Sequence, residues 1–176
     1  MNKEYKYRHG VSVMRAQPFH IGHDRIIKNM LTECEKATVV LYSVPESGEN
    51  RNPLSYNLRK QMIENIYKGS EYENRLKIIG FFNKYNPKSW SDVDVMDDIF
   101  TELPKGDVFY VGNERDADKF KSLVDNLKVV DRTSSDFPYV TATMVRDLIK
   151  SKNESWKKYI HPENYQLLEG SVLFKF

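Results

Sequence analysis

The sequence predicts an α/β fold: a doubly wound parallel sheet of about five strands, helices on both faces and a short C-terminal helical tail. Three observations predict it. Short β-rich runs alternate with longer stretches of helical periodicity about five times, the pattern of parallel strands joined by helical crossovers. The run ATVVLYSV (37–44) is almost continuously apolar, as a strand covered on both faces must be. Turn-forming residues cluster between the runs, as in PESGENRNP (45–53).

The elements follow in order. VSVMRA (11–16) reads as the first strand. HDRIIKNMLTECEK (23–36) reads as a helix, because Ile26, Ile27, Met30, Leu31 and Cys34 recur at helical spacing. The strand 37–44 and the loop 45–53 follow. SYNLRKQMIENIY (55–67) is helical with Ser55 as its candidate cap. RLKIIGFF (75–82) is the third strand, and a helix is expected over 90–103. DVFYVGN (107–113) is the fourth strand, ERDADKFKSLVDN (114–126) a helix and LKVVD (127–131) a short fifth strand. TATMVRDLIKS (141–151) opens another helix, and the last helical stretch is interrupted by Pro162. The chain thus reads as one Rossmann-like domain over 1–176, with a core at about 10–151 and an extension over 152–176. In such folds ligands bind beyond the carboxyl ends of the strands, where the strand order reverses. Three unusual segments lie there: RAQPFHIGH (15–23), YVGNERD (110–116) and TATMVRD (141–147).

Composition narrows the function. With 40% hydrophobic residues in 176, a sizeable core can form; with 30% charged residues but a net charge of only +2, the strong basic excess of a nucleic-acid or membrane-surface binder is missing. A local basic pocket for a small anion stays compatible with that balance. Cys34 is the only cysteine, which excludes an intramolecular disulfide and a cysteine-rich zinc site. The opening MNKEYKYRHG lacks the apolar core of a secretory signal, and no run approaches the ~18 apolar residues of a membrane span. A cytoplasmic protein is expected.

The segment RAQPFHIGHD (15–24) admits three readings. A zinc clip fits poorly, since the histidines are three apart without the glutamate of an H-E-x-x-H helix. A structural turn would use Pro18 and Gly22, with the histidines capping a helix. A phosphate site would combine the N–H groups of a helix beginning near Gly22, close approach at that glycine, imidazole donors at His20 and His23, and the charge of Arg15.

HIGH (20–23) resembles the H-x-G-H signature of the nucleotidylyltransferase superfamily, and RAQPFHIGHDRII resembles the first motif of nicotinamide mononucleotide (NMN) adenylyltransferases of the archaeal and NadR types. VTATMVRDLI (140–149) resembles the family's I-S-x-T-x-x-R segment, NPLSYNLRKQMI (52–63) its N-P-F…R…M-I stretch, NPKSWSDVDV (86–95) its tryptophan segment and YVGNE (110–114) its G-N stretch. The resemblance spans most of residues 10–160 in the right order. It implies AMP transfer from ATP to NMN, giving NAD and pyrophosphate. By it, His20, His23 and Arg146 are catalytic, with His23 at the α-phosphate; Arg15, Ala16, Gln17, Gly22, Asn113, Thr141, Thr143 and Arg146 bind ATP; and Trp90, Arg51 and Phe19 bind NMN, with Arg59 a weaker phosphate candidate. Mg²⁺ is expected through the ATP phosphates, with no metal ligand from the protein. The expected partners are ATP and NMN, with no nucleic acid and no membrane; relatives of this type often form homo-oligomers, but no interface is legible.

Bland readings stand beside these. Trp90 can anchor a helix in the core, Thr141 can serve as an N-cap, Asn113 as a turn residue, and Arg146 can pair with Asp147. His9 and His161 match no motif and receive no role. Met14 and Ala16 depart from the glycine and phenylalanine common in the first motif, while Thr141 keeps the hydroxyl of the usual serine. Two alternatives to the NMN reading are another phosphate acceptor, such as phosphopantetheine, and a nucleotide-binding module without turnover.

Overall fold

The computed structural model describes residues 4–43, 52–82, 105–130 and 139–175. The helix expected over 90–103, with Trp90, and the residue Arg51 lie outside the described residues.

Strand β1 (Tyr7–Met14) occupies the middle of a five-stranded sheet of order β3-β2-β1-β4-β5. It pairs in parallel with β2 (Cys34–Ser43) from Tyr7 opposite Cys34 to Met14 opposite Leu41, and with β4 (Val108–Val111) on its other side. Outside these lie β3 (Leu76–Phe82) and β5 (Leu127–Val129), both parallel to their neighbours. The order runs outward from β1 to β3 and then resumes on the opposite side at β4. The reversal therefore falls between the carboxyl ends of β1 and β4, where the sequence places RAQPFHIGH and YVGNERD.

Alternation along the strands divides the core into two layers. Met14, Val39, Leu41 and Tyr110 pack with α1 (Ile21–Glu33), α2 (Tyr56–Tyr67) and α4 (Ala142–Lys150). Val11, Val40, Tyr42, Phe109 and Val111 pack with Ala117 and Phe120 of α3 (Glu114–Phe120). Strand β2 is thus covered on both faces, which explains its continuous apolar run. The tail consists of tight turns over Glu154–Tyr159, Pro162–Asn164 and Val172–Phe174 around a short helix, α5 (Tyr165–Glu169). Trp156, Leu168 and Leu173 bury it in the same layer as α1 and α2. Among the described residues no helix is long and apolar enough to cross a membrane.

Strand β1 lies over Tyr7–Met14 rather than 11–16, and two helix ends differ from expectation for a physical reason. Helix α1 stops at Glu33 and Cys34 opens β2 with no loop between them. Arg75 makes that sharp exit stable by donating to the carbonyls of Leu31 (2.6 Å), Cys34 (2.7 Å) and Glu35 (2.9 Å), the groups a helix end leaves without partners. Helix α3 ends at Phe120 rather than near 126, because a tight turn (Leu123 N–H to Phe120 carbonyl, 2.9 Å) brings Leu123 and Val124 back onto the core. Ser55 caps α2 as expected, accepting from the Leu58 N–H at 3.1 Å.

One buried cation ties the strand ends together. Arg59 of α2 is 1% exposed. Its Nη1 donates to the carbonyls of Arg15 (2.6 Å) and Tyr42 (2.8 Å), and its Nε to that of Ser55 (3.2 Å). The weaker phosphate candidate is therefore a brace between β1, β2 and α2. Arg59→Met, which keeps the packing volume but removes the donors, is expected to destabilise the fold by about 2–4 kcal/mol. A urea titration measures this; an unchanged midpoint would show that the brace carries no stability.

Candidate active site

The chain leaves β1 at Met14 and must turn sharply to start α1 seven residues later. Ala16 takes a left-handed conformation, φ 51°, which costs a residue with a Cβ about 1–2 kcal/mol. Such a conformation persists only where the surroundings enforce it, and here three segments do so. Arg59 holds the Arg15 carbonyl. The Gln17 amide pairs in both directions with the backbone of Leu54, accepting from its N–H at 2.8 Å and donating to its carbonyl at 2.9 Å. Arg146 of α4 donates from Nη1 to the Gln17 carbonyl at 2.6 Å. Gln17 and Ala16, both buried, thus shape the loop through its backbone.

His20 is the N-cap of α1. Its Nδ1 accepts from the Gly22 N–H at 3.1 Å, while Nδ1 of His23 accepts from the His20 N–H at 3.4 Å. A backbone N–H can only donate, so both neutral rings carry their proton on Nε2. The rings stack with centroids 3.8 Å apart, and Phe19 stacks on His23 at 5.7 Å. Phe19 and His20 are each 1% exposed whereas His23 is partly exposed, so His23 is the imidazole presented at the surface of the site. Phe19, expected among the NMN contacts, is placed in the core beside His23. A side chain on Gly22 would come within 2.9 Å of the His20 ring and 3.0 Å of Val140, so only glycine lets the start of α1 lie against the segment entering α4.

At that second helix, Thr141 is the N-cap and accepts from the Met144 N–H at 3.1 Å. Thr143 accepts from Nη2 of Arg146 at 3.2 Å, and Arg146 is itself 5% exposed. The structure therefore brings together His20, Gly22, His23, Thr141, Thr143 and Arg146 around two adjoining helix N-termini, with Arg15 donating to Asn52 at 3.4 Å nearby. Both termini contribute N–H groups and positive potential, and the side chains add donors; the arrangement suits an anion with several oxygens. Asn113 caps α3 at the end of β4, accepting from the Asp116 N–H and donating to its carboxylate, each at 2.8 Å. Among the described residues no group of three His, Cys, Asp or Glu side chains is placed to hold a metal.

Sequence reasoning missed the carboxylate next to His23. Asp24 is 3% exposed and receives bonds from Tyr67 (2.6 Å), Lys28 (2.7 Å) and His161 (3.1 Å). An acid in the first turn of a helix is a legible signal, but two of its partners lie far along the chain. Burial alone would raise the Asp24 carboxyl; hydrogen bonds from His161, Lys28 and Tyr67 outweigh it and hold the group below the usual aspartate range. Burial and the neighbouring carboxylate push the Tyr67 phenol up, so it stays a donor.

Two outcomes are expected. Gly22→Ala forces the His20 ring out of its cap, and turnover falls about tenfold or more despite alanine's better helix propensity; an unaltered rate and unfolding midpoint would contradict the close contact. Because the folded Asp24 value is depressed, its contribution to stability is present above the unfolded value, about 3.9, and is lost as pH falls through the folded one. Urea midpoints measured between about pH 6 and 2 should therefore drop less steeply for Asp24→Asn than for the parent chain.

The cytidylyltransferase-like family model matches residues 15–161, which covers both motifs. The nicotinamide-nucleotide adenylyltransferase of Archaeoglobus fulgidus is 26% identical over 159 residues, across 86% of this chain and 84% of that protein. Its counterpart from Sulfurisphaera tokodaii is 25% identical over 159 residues, across 88% and 87%. A bifunctional NMN adenylyltransferase/ADP ribose pyrophosphatase from Francisella tularensis shares the fold, with a TM-score of 0.65 at 19% identity over 96% of this chain and 52% of that one. A NadR protein in complex with NR gives 0.62 at 16% identity over 95% and 47%. The chain thus spans about half the length of these two solved chains. With both ordered motifs inside the matched region, and their side chains converging at the sheet's switch point, the chain belongs to the cytidylyltransferase-like family and is a nucleotidyltransferase.

Proposed function

We propose that the protein is a nicotinamide-nucleotide adenylyltransferase that transfers AMP from ATP to NMN. One observation carries the reading: the Arg146–Gln17 bond joins the H-x-G-H loop to the T-x-x-R helix, which supports a single anion site shared by both family motifs. The archaeal relatives, similar over most of both chains, support NMN as the acceptor.

In this reaction an oxygen of the NMN phosphate attacks the α-phosphorus of ATP in line. The new P–O bond forms as the bond to the β-phosphate bridging oxygen breaks, and pyrophosphate leaves with the electron pair. The nucleophile is already anionic at neutral pH, so no general base is needed. The work is alignment and neutralisation of developing charge. His23, with its proton on Nε2, donates to the α-phosphate oxygens. The N–H groups at the start of α4, Thr143 and Arg146 hold the β- and γ-phosphates, and Arg15 supplies positive charge at the strand end. His20 fixes His23 by stacking and by the cap. Mg²⁺ would arrive on ATP: the described site offers N–H, imidazole and guanidinium donors, which suit phosphate oxygens rather than a metal, and the ion neutralises phosphate charge when bound. We assign nicotinamide stacking to Trp90 and an NMN phosphate contact to Arg51, as the family resemblance implies. Phe19 supports His23 rather than touching NMN.

Protein incubated with ATP, Mg²⁺ and NMN is expected to yield NAD and pyrophosphate, and His23→Ala to lower kcat about 10²-fold or more. AMP transfer to a different phosphate acceptor, with no NAD formed, would overturn the NMN assignment and leave the family intact. An unchanged rate in His23→Ala would return that imidazole to a capping role alone.

A further inference from the structure

We infer that Asp24 and His161 form a positioning pair through which the C-terminal tail aims His23 at the nucleotide; the inference rests on reading the H-x-G-H loop as the ATP phosphate site. Asp24 follows His23 directly, and its N–H bonds the His20 carbonyl at 3.1 Å, so its side chain and the two stacked imidazoles belong to one helical turn. Among the described residues its carboxylate is the only buried one. Oδ1 accepts from the hydroxyl of Tyr67, the last residue of α2, and Oδ2 from Nε2 of His161 and Nζ of Lys28. Lys28 is 58% exposed and bridges within α1 only, whereas His161 is 21% exposed and arrives from another element.

His161 is fixed in turn. The Asn164 N–H bonds the His161 carbonyl at 2.9 Å, closing the turn Pro162–Asn164. The Asn164 side chain is 0% exposed, donating to the Met62 carbonyl at 2.8 Å and accepting from Asn65 at 3.0 Å. This buried amide docks the turn onto α2 and leaves His161 reaching across to α1.

Electrostatics gives the pair its consequence. A carboxylate one residue from His23 opposes an incoming phosphate unless donors draw on its charge, and a buried carboxylate that loses a donor must move or take up water. Either response rotates the first turn of α1 and moves His23. The tail is therefore part of the site's scaffold, although no motif marked His161.

The test uses the full chain with His161→Ala, His161→Gln and Tyr67→Phe, each checked for folding by circular dichroism. ATP affinity with Mg²⁺ is measured by calorimetry, and NAD formation at saturating ATP gives kcat. His161→Ala is expected to weaken ATP binding and to lower kcat by about tenfold each, the scale of one hydrogen bond to a charge. His161→Gln, whose amide nitrogen replaces Nε2, is expected to restore most of both, and Tyr67→Phe to weaken both while keeping the packing. A folded His161→Ala with the parent's affinity and kcat, or a His161→Gln as impaired as the alanine variant, overturns the pair. If His161→Ala does not fold, parental values in Tyr67→Phe overturn it. Parent protein that binds ATP but makes no NAD sinks the acceptor reading alone, the pair then being judged on ATP affinity; parent protein that fails to bind ATP sinks both.

Discussion

The bond from Arg146 to the Gln17 carbonyl crosses 129 residues of sequence and joins the start of α4 to the loop after β1. A helix N-terminus in isolation attracts an anion weakly, because the field of its N–H groups fades within a turn and is screened by water. Two termini held against each other, with no room for a Cβ on residue 22 beside Val140, superpose their fields on one small volume. Packing at this junction allows no side chain on residue 22 and requires a left-handed residue at 16, so the local oddities of the first motif follow from the need to bring two helix starts together.

The arginines and helix ends give the site its positive potential, and its histidines give it directed donors. Both imidazoles use Nδ1 as an acceptor for a backbone N–H group, which fixes their orientation and leaves Nε2 as the donor. Arg146 supplies charge from the side of α4 and Arg15 from the end of β1. Arg59, which looks like a ligand for phosphate in the sequence, spends its donors on three carbonyls and stabilises the strand ends that carry the other groups. Arg146 also donates to a backbone carbonyl, and what sets it apart from Arg59 is its second nitrogen on the Thr143 hydroxyl at the start of α4.

The doubly wound parallel sheet, the alternation of elements, the cap at Ser55 and the two family motifs were legible because each is written in local pattern or in a contiguous motif. The end of α1 was not: Cys34 is buried whether it closes a helix or opens a strand, and what decides is Arg75, some forty residues away, reaching the carbonyls there. Gln17 was read as a ligand of ATP, yet its amide is matched to the backbone of Leu54, a pairing with no periodicity to reveal it. Thr141 and Asn113 both cap helices, which was among the readings open to Thr141, whereas the sequence reads Asn113 as a turn residue or an ATP contact. For Thr141 the two readings coexist, since capping α4 is what orients the N–H groups offered to an anion. His161 was invisible because its meaning depends on Asp24, 137 residues earlier.

Stiffness links the fold to the chemistry. Polyanion binding is weakened whenever donors must be ordered as the ligand arrives. Here the loop after β1 is ordered beforehand: Arg59 holds Arg15, Leu54 and Arg146 both hold Gln17, and the unfavourable conformation at Ala16 is offset within the folding free energy. Met14 and Ala16, which depart from the family pattern in the first motif, are 5% and 1% exposed and pack in the wall that carries this rigid loop. Substitutions there strain the backbone that these anchors hold, which couples the shape of the loop to the stability of the whole strand end.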